Sequence, residues 1–261
     1  MRKLGVLVAL TTASAVVGIA PAMAGAQTPP TPEVTAFCDA GLKVDQAFAA
    51  AGSSDKGPTK KQQQAIEQSL TQALNVAPPE VAADVQSIQG IIQSALQSKQ
   101  DPSENPTFEQ NLSSINGYRY SSCGYNQVQV TGIEYEFQGL PKTLPAGKTA
   151  IQFTDTGTEL HMLDLFRIKT KDSLKKLLAL PEKELGKKVQ DVGSADVTTL
   201  GGTQYVFADL KPGRYGAVCF FPVGATSLDT LQHSKGAPHW KEGMYQEVKV
   251  EAGTTTTSAA G

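Results

Sequence analysis

Apolar residues recur three and four positions apart between Pro32 and Cys123, and every second position beyond Gly124, so the chain changes character once. Four stretches of the first part carry helical spacing: PEVTAFCDAGLKVDQAFAA, TKKQQQAIEQSLTQALNV, PPEVAADVQSIQGIIQSALQS and NPTFEQNLSSINGYRYSSC. Ile66, Leu70 and Leu74 form one stripe, and Val85, Ile88, Ile92 and Leu96 another. Gly57-Pro58, Pro78-Pro79 and Pro102 punctuate the joins. Four helices joined by short loops predict an antiparallel, up-down-up-down bundle over 32–125. Its polar faces are rich in Gln and Ser, and it holds no histidine.

From Val128 the period drops to two. QVQVTGIEYEFQ places Val128 and Val130 on one face, followed by Ile133, Tyr135 and Phe137, with Gly132 expected as a bulge. KTLPAGKTAIQFTDTG predicts a turn around Pro145 to Gly147 and then a strand holding Ile151 and Phe153. ELHMLDLFRIK, TQYVFADL, GRYGAVCFF and MYQEVKVE continue the series. Short strands divided by Gly, Pro and Asp-rich turns predict an antiparallel sandwich or barrel over 126–251. The alternation breaks at DSLKKLLALPEKELGKK, which predicts one short helix near 172–188, inserted across an end of the sandwich with its lysines in solvent. The fold class is therefore α+β with two domains.

The first residues alter the setting in which cysteines are read. Arg2 and Lys3 precede an apolar run from Leu4 to about Ala20, then Ala22-Met23-Ala24 and Ala24-Gly25-Ala26. This pattern predicts a secretory signal peptide over 1–24, with cleavage after Ala24 or Ala26, and a Pro-rich linker over 25–31. The expected product is soluble, secreted or held in the cell envelope, without stable insertion in a membrane, and free to form disulfides. Without Arg2 and Lys3 the chain carries 21 basic against 25 acidic residues, which argues against a nucleic-acid partner. The tail at 252–261 is low in complexity and expected to be disordered. In an up-down bundle the first helix starts where the fourth ends, so Cys38 and Cys123 are expected to form a disulfide. That pairing leaves Cys219 over.

Chemistry is confined to the second part. His161, His233 and His239 all lie there, with Cys219 and Met244. His161 follows the turn DTGTEL and opens a strand, Cys219 closes one before Pro222, and His239 and Met244 precede the last strand. A thiolate, imidazoles and a thioether are soft-to-borderline ligands, which suit copper better than calcium or magnesium. There is no G-x-S-x-G elbow and no H-E-x-x-H pair, so hydrolase chemistry is unsupported and no catalytic residue is assigned.

At FTDTGTELHM, LKPGRYGAVC and PHWKEGM followed by YQEVKVE, the chain resembles the cupredoxins, the fold of the blue, type 1 copper proteins. The resemblance covers about Val128 to Glu251, and it extends to exported bacterial proteins that join a helical N-terminal region to such a Greek-key domain. It implies His161, Cys219 and His239 as trigonal ligands and Met244 as the weak axial ligand of one copper ion that carries single electrons. The implied partner is a redox protein or a copper donor. Nineteen residues separate Cys219 from His239, more than is usual in the family, and Met162 stands where the family commonly has Asn. His233 and Met162 stay open as alternative ligands. A copper carrier or store, and a metal-free envelope or interaction module, are the other functions this sequence accommodates.

Overall fold

The helical spacing is realised in α1 (Pro32–Ala51), α2 (Lys60–Asn75), α3 (Ala82–Ser98) and α4 (Phe108–Ser122) of the computed structural model. It describes residues 29–51, 57–98, 100, 102 and 105–252; the expected signal peptide, the start of the 25–31 linker and all of the tail beyond Ala252 lie outside the described residues. Helix α2 begins at a reciprocal cap. The Gln62 side chain accepts from the Thr59 backbone N–H at 2.8 Å, and the Thr59 hydroxyl oxygen accepts from the Gln62 N–H at 3.4 Å. The helices pack in chain order, α1 on α2, α2 on α3 and α3 on α4. One apolar cluster gathers Phe37, Ala73, Val81 and Val85 with Ile115 and Tyr118, and a second gathers Ile66, Leu70, Ile88 and Ile92 with Leu112. Cys38 of α1 is joined to Cys123, which caps α4, by a disulfide with a Cα–Cα distance of 5.7 Å. No helix among the described residues is long and apolar enough to cross a membrane.

The period-two region forms nine strands: β1 (Asn126–Ile133), β2 (Glu136–Gln138), β3 (Thr143–Pro145), β4 (Gly147–Asp155), β5 (Met162–Ile168), β6 (Val189–Asp196), β7 (Thr203–Leu210), β8 (Gly213–Val218) and β9 (Tyr245–Glu251). They make a four-stranded sheet, β2-β1-β4-β7, and a five-stranded sheet, β3-β9-β8-β5-β6. Alternate residues of the two sheets, among them Val130, Ile151, Phe153, Leu163, Leu165, Ala217 and Val248, fill the space between them.

Four details differ from the expectation. The sheets are mixed rather than antiparallel, because β1 pairs with β4 and β3 with β9 in parallel; alternation reports which face of a strand is buried and carries no strand direction. Gly132 is not a bulge. Its register runs on unbroken into a hairpin, opposite Phe137, and a Cβ there would meet the Phe153 ring at 2.5 Å and the His161 Cβ at 3.2 Å. The insertion is two helices, α5 (Leu174–Leu178) and α6 (Glu182–Lys188), divided at Pro181, with Leu174, Leu177 and Leu178 buried against Phe166, Ile168 and Val218. Strand β6 escapes the pattern because it is a polar edge strand, with Ala195 its one buried residue.

The helices and the sandwich share a boundary. Cys38, Leu42 and Cys123 pack with Tyr125, Ala150 and Phe207. The Arg119 guanidinium lies 3.9 Å over the Phe207 ring and donates to both carboxylate oxygens of Asp45, at 3.2 and 2.5 Å.

Candidate metal centre

His161 immediately precedes β5 and Cys219 immediately follows β8. These strands are antiparallel neighbours, with Asp164 opposite Val218, so the two residues emerge at the same end of one sheet. His239 comes from the connection between β8 and β9, which contains α7 (Leu228–His233) and α8 (His239–Glu242).

That connection is long in sequence and short in space. The excursion between Val223 and Ala237 is closed at its base by the Val223 N–H donating to the Ala237 carbonyl at 2.9 Å and by a bridge between Pro222 and Pro238. The His239 N–H donates to Phe221 O at 2.8 Å and the Trp240 N–H to Cys219 O at 3.0 Å. The Cys219 N–H donates to Met244 O, and the Met244 N–H to His239 O, both at 3.1 Å. Backbone bonds thus fix the two ligand-bearing ends directly to each other, and the intervening residues form a closed side loop. The loop-closure entropy of nineteen residues is offset by these local pairings.

The three side chains converge. His161 Nδ1 lies 3.0 Å from His239 Nδ1, and Cys219 Sγ lies 3.3 Å from His239 Nδ1. The candidate ligating atoms of all three residues fall within 4.8 Å of one another, and each residue is 0% exposed. Burial pushes the Cys219 thiol up to about 12, with the backbone N–H groups of Met162 and Phe221 pulling the other way. Burial, and then the neighbouring His161, lower the His239 pKa, against the pull of the Glu159 carboxylate. Three lone-pair donors that face one another in a dry interior repel unless a proton or a cation sits between them. A buried thiol and two imidazoles are the donor set of copper or zinc, and a soft-to-borderline cation would lower the cost of ionising the thiol.

Met244 is fully buried in the apolar cluster that contains Cys219. Met162 packs against the same cluster. Its backbone N–H donates to Cys219 Sγ at 3.4 Å, while its side chain lines a cavity of about 550 Å³ with Asp164, Phe220 and Trp240. His233 is not brought to the cluster; it is exposed on α7, with its ring Nδ1 2.8 Å from Asp229 O.

Three carboxylates around the centre were not singled out in the sequence. Asp155 is fully buried and accepts from the His161 N–H at 3.3 Å and the Gly157 N–H at 3.0 Å. Glu159 Oε2 lies 2.9 Å from His239 Nε2, and Glu134 Oε1 lies 3.6 Å from His161 Nε2. The available signal was the acidity of the turns EYE and DTGTE beside a histidine, which is too common on protein surfaces to single them out.

No family model matches the chain, and no curated protein matches it. Solved structures similar to it include auracyanin from the photosynthetic bacterium Roseiflexus castenholzii, with 16% identity over 48% of this chain and 97% of that one and a TM-score of 0.32. Auracyanin A, a blue copper protein of Chloroflexus aurantiacus, has 16% identity over 49% of this chain and 100% of its own, also with a TM-score of 0.32. Rusticyanin from Thiobacillus ferrooxidans has 14% identity over 49% and 79% and a TM-score of 0.29. At these TM-scores the likeness decides nothing about the centre, whose chemistry follows from its side chains.

Proposed function

We propose that this protein is an exported, cupredoxin-like carrier that holds one copper ion at His161, Cys219 and His239 and passes single electrons to and from a partner protein. The observation that carries this reading is the set of three fully buried, mutually facing donors, two imidazole nitrogens 3.0 Å apart with a thiol sulfur at 3.3 Å. Copper in such a site supplies one-electron redox chemistry. The chain's part is to hold the donors still. His161 and Cys219 are anchored by paired strands and His239 by the bonded base of its loop, so little has to move between oxidation states. Met244, fully buried and with its backbone bonded to that of both Cys219 and His239, would be a fourth and weaker ligand. The Cys38–Cys123 disulfide agrees with export to an oxidising compartment.

The test is an absorption spectrum of the purified protein with one equivalent of Cu(II). A strong visible charge-transfer band that disappears in Cys219→Ser is expected, because the serine hydroxyl is a hard and poorly ionised donor. A stoichiometric but colourless complex, indifferent to that substitution, would turn the reading towards a copper carrier that does not use the thiolate.

A further inference from the structure

Each imidazole of the centre turns Nδ1 inward and Nε2 outward, and behind each Nε2 stands a carboxylate. His239 Nε2 is 2.9 Å from Glu159 Oε2. His161 Nε2 is 3.6 Å from Glu134 Oε1, and it is a buried nitrogen with no hydrogen-bond partner. Neither carboxylate is a loose surface group. Glu134 Oε1 accepts from the Thr158 N–H at 2.5 Å, the Thr158 hydroxyl at 3.1 Å and the Glu159 N–H at 2.8 Å. Glu159 Oε2 also accepts from the Gly224 N–H at 2.9 Å. Gly157 leaves the space for this arrangement, since a Cβ there would lie 2.6 Å from both Glu134 Oε1 and His161 Nε2.

The two distances differ for a reason that the tautomers supply. With both rings neutral, a hydrogen bond from His239 Nε2–H to Glu159 leaves His239 Nδ1 as an acceptor. The contact at 3.0 Å then requires His161 to carry its hydrogen on Nδ1, and its Nε2 presents a bare lone pair to Glu134. Two acceptors facing each other do not bond, which accounts for the longer distance and the unpartnered nitrogen.

We infer that Glu159 and Glu134 are positioning residues for the two histidine ligands: Glu159 presets His239 for ligation through Nδ1, and Glu134 receives the Nε2–H that His161 gains when its Nδ1 is given to the metal. The inference rests on the copper reading and adds a consequence for it. A carboxylate behind each ligand strengthens both imidazole donors and places negative charge near the ion, which favours Cu(II) over Cu(I).

Two measurements test this on the full protein. The first is nitrogen-15 NMR of the histidine rings, without metal and with one equivalent of Cu(I), which is diamagnetic. The metal-free protein is expected to show His239 as the Nε2–H form and His161 as the Nδ1–H form, and Cu(I) to convert His161 to Nε2–H. The second compares Glu159→Gln and Glu134→Gln with the parent. Both keep a side-chain oxygen for the backbone donors and remove only the charge, so folding should survive. Cu(II) affinity is expected to fall about 10–100-fold in each. Cu(I) affinity should fall less, and a 10-fold change in the ratio raises a one-electron potential by about 59 mV. If the parent lacks a Cys219-dependent band, the copper reading fails, while the metal-free spectra still judge the His239 hydrogen bond. If the band is present but both variants keep the parent's potential and affinity, or His161 is already Nε2–H without metal, the positioning roles are overturned.

Discussion

The helical region and the sandwich each bury a charged or polar cluster, and the two are built on opposite terms. In the helical region the Arg119 charge is matched: Asp45 takes both terminal nitrogens, Phe207 covers one face, and only Nε, against which a Cβ at Gly41 would come within 2.8 Å, has no partner. In the sandwich His161, Cys219 and His239 instead turn three potential metal donors towards one another, with carboxylates only behind the rings. A buried polar group whose partner is already in the chain is read as structure. A buried group of soft-to-borderline donors that converge on one another, with no charge of their own to match, is read as a place for a cation the chain does not itself provide.

The comparison is broken most severely at Cys219. Its replacement by serine should remove the whole visible copper band and leave the unfolding transition close to the parent's, because the change conserves shape; optical titration and thermal denaturation measure the two separately. Loss of both together would mean that the thiol is a core residue first.

The disulfide is next. Replacing Cys38 and Cys123 by alanine opens a loop with a sequence separation of 85 and should lower stability by about 2–5 kcal/mol. Denaturant unfolding reports the loss, and the copper spectrum of the folded fraction should not change. Arg119→Leu should cost about 3 kcal/mol by stranding the Asp45 carboxylate. The figure is at the low end for such pairs because the Asp45 side chain is 29% exposed. A similar loss of the copper band in this variant would show that the two regions are coupled rather than contrasted.

A pH-dependent effect is expected beside the edge strand β6, where burial first, and then Asp191 and Asp196, push the Asp164 carboxyl up to about 7. The folded protein binds this proton more tightly than the unfolded chain, whose value is near 3.8. Stability from this group is therefore full below 3.8 and declines as pH rises to about 7. Asp164→Asn should flatten that slope in a series of melting temperatures between pH 4 and pH 8, and an unchanged slope would assign it to other groups. The smallest effect belongs to His233→Ala. The residue is exposed on α7 and outside the cluster, so copper stoichiometry and colour should stay as they are. An effect equal to that of His239→Ala would indicate adventitious binding.

Several of these features could be read along the chain. The change of period at Gly124 marks the passage from α4, which ends at Ser122, to β1, which begins at Asn126. The stripe of Val85, Ile88 and Ile92 is buried as its spacing requires, and Cys38 is paired with Cys123 as expected. These are local records of burial or consequences of chain order, and sequence carries both. His161, Cys219, His239 and Met244 also stand out by type and by their places beside turns.

Other features depend on groups remote in sequence and have no local record. Strand β6 lies at a sheet edge, where half-exposed residues do not alternate, and the parallel pairing of β1 with β4 is a matter of direction, which alternation does not encode. The loop after Cys219 looks too long for a ligand loop until Pro222 and Pro238 are seen to close it. Met162 is singled out in sequence by its sulfur, whereas its N–H at Cys219 Sγ has no local record, because backbone donors are the same in every residue and only folding aims them. Glu134 and Glu159 look like surface carboxylates until folding brings two buried rings against them. Sequence by itself determined where apolar surface must be hidden and which side chains have the chemistry to hold a metal. Tertiary structure decided which atoms of those side chains meet, because a donor acquires its role from the group that faces it across the fold.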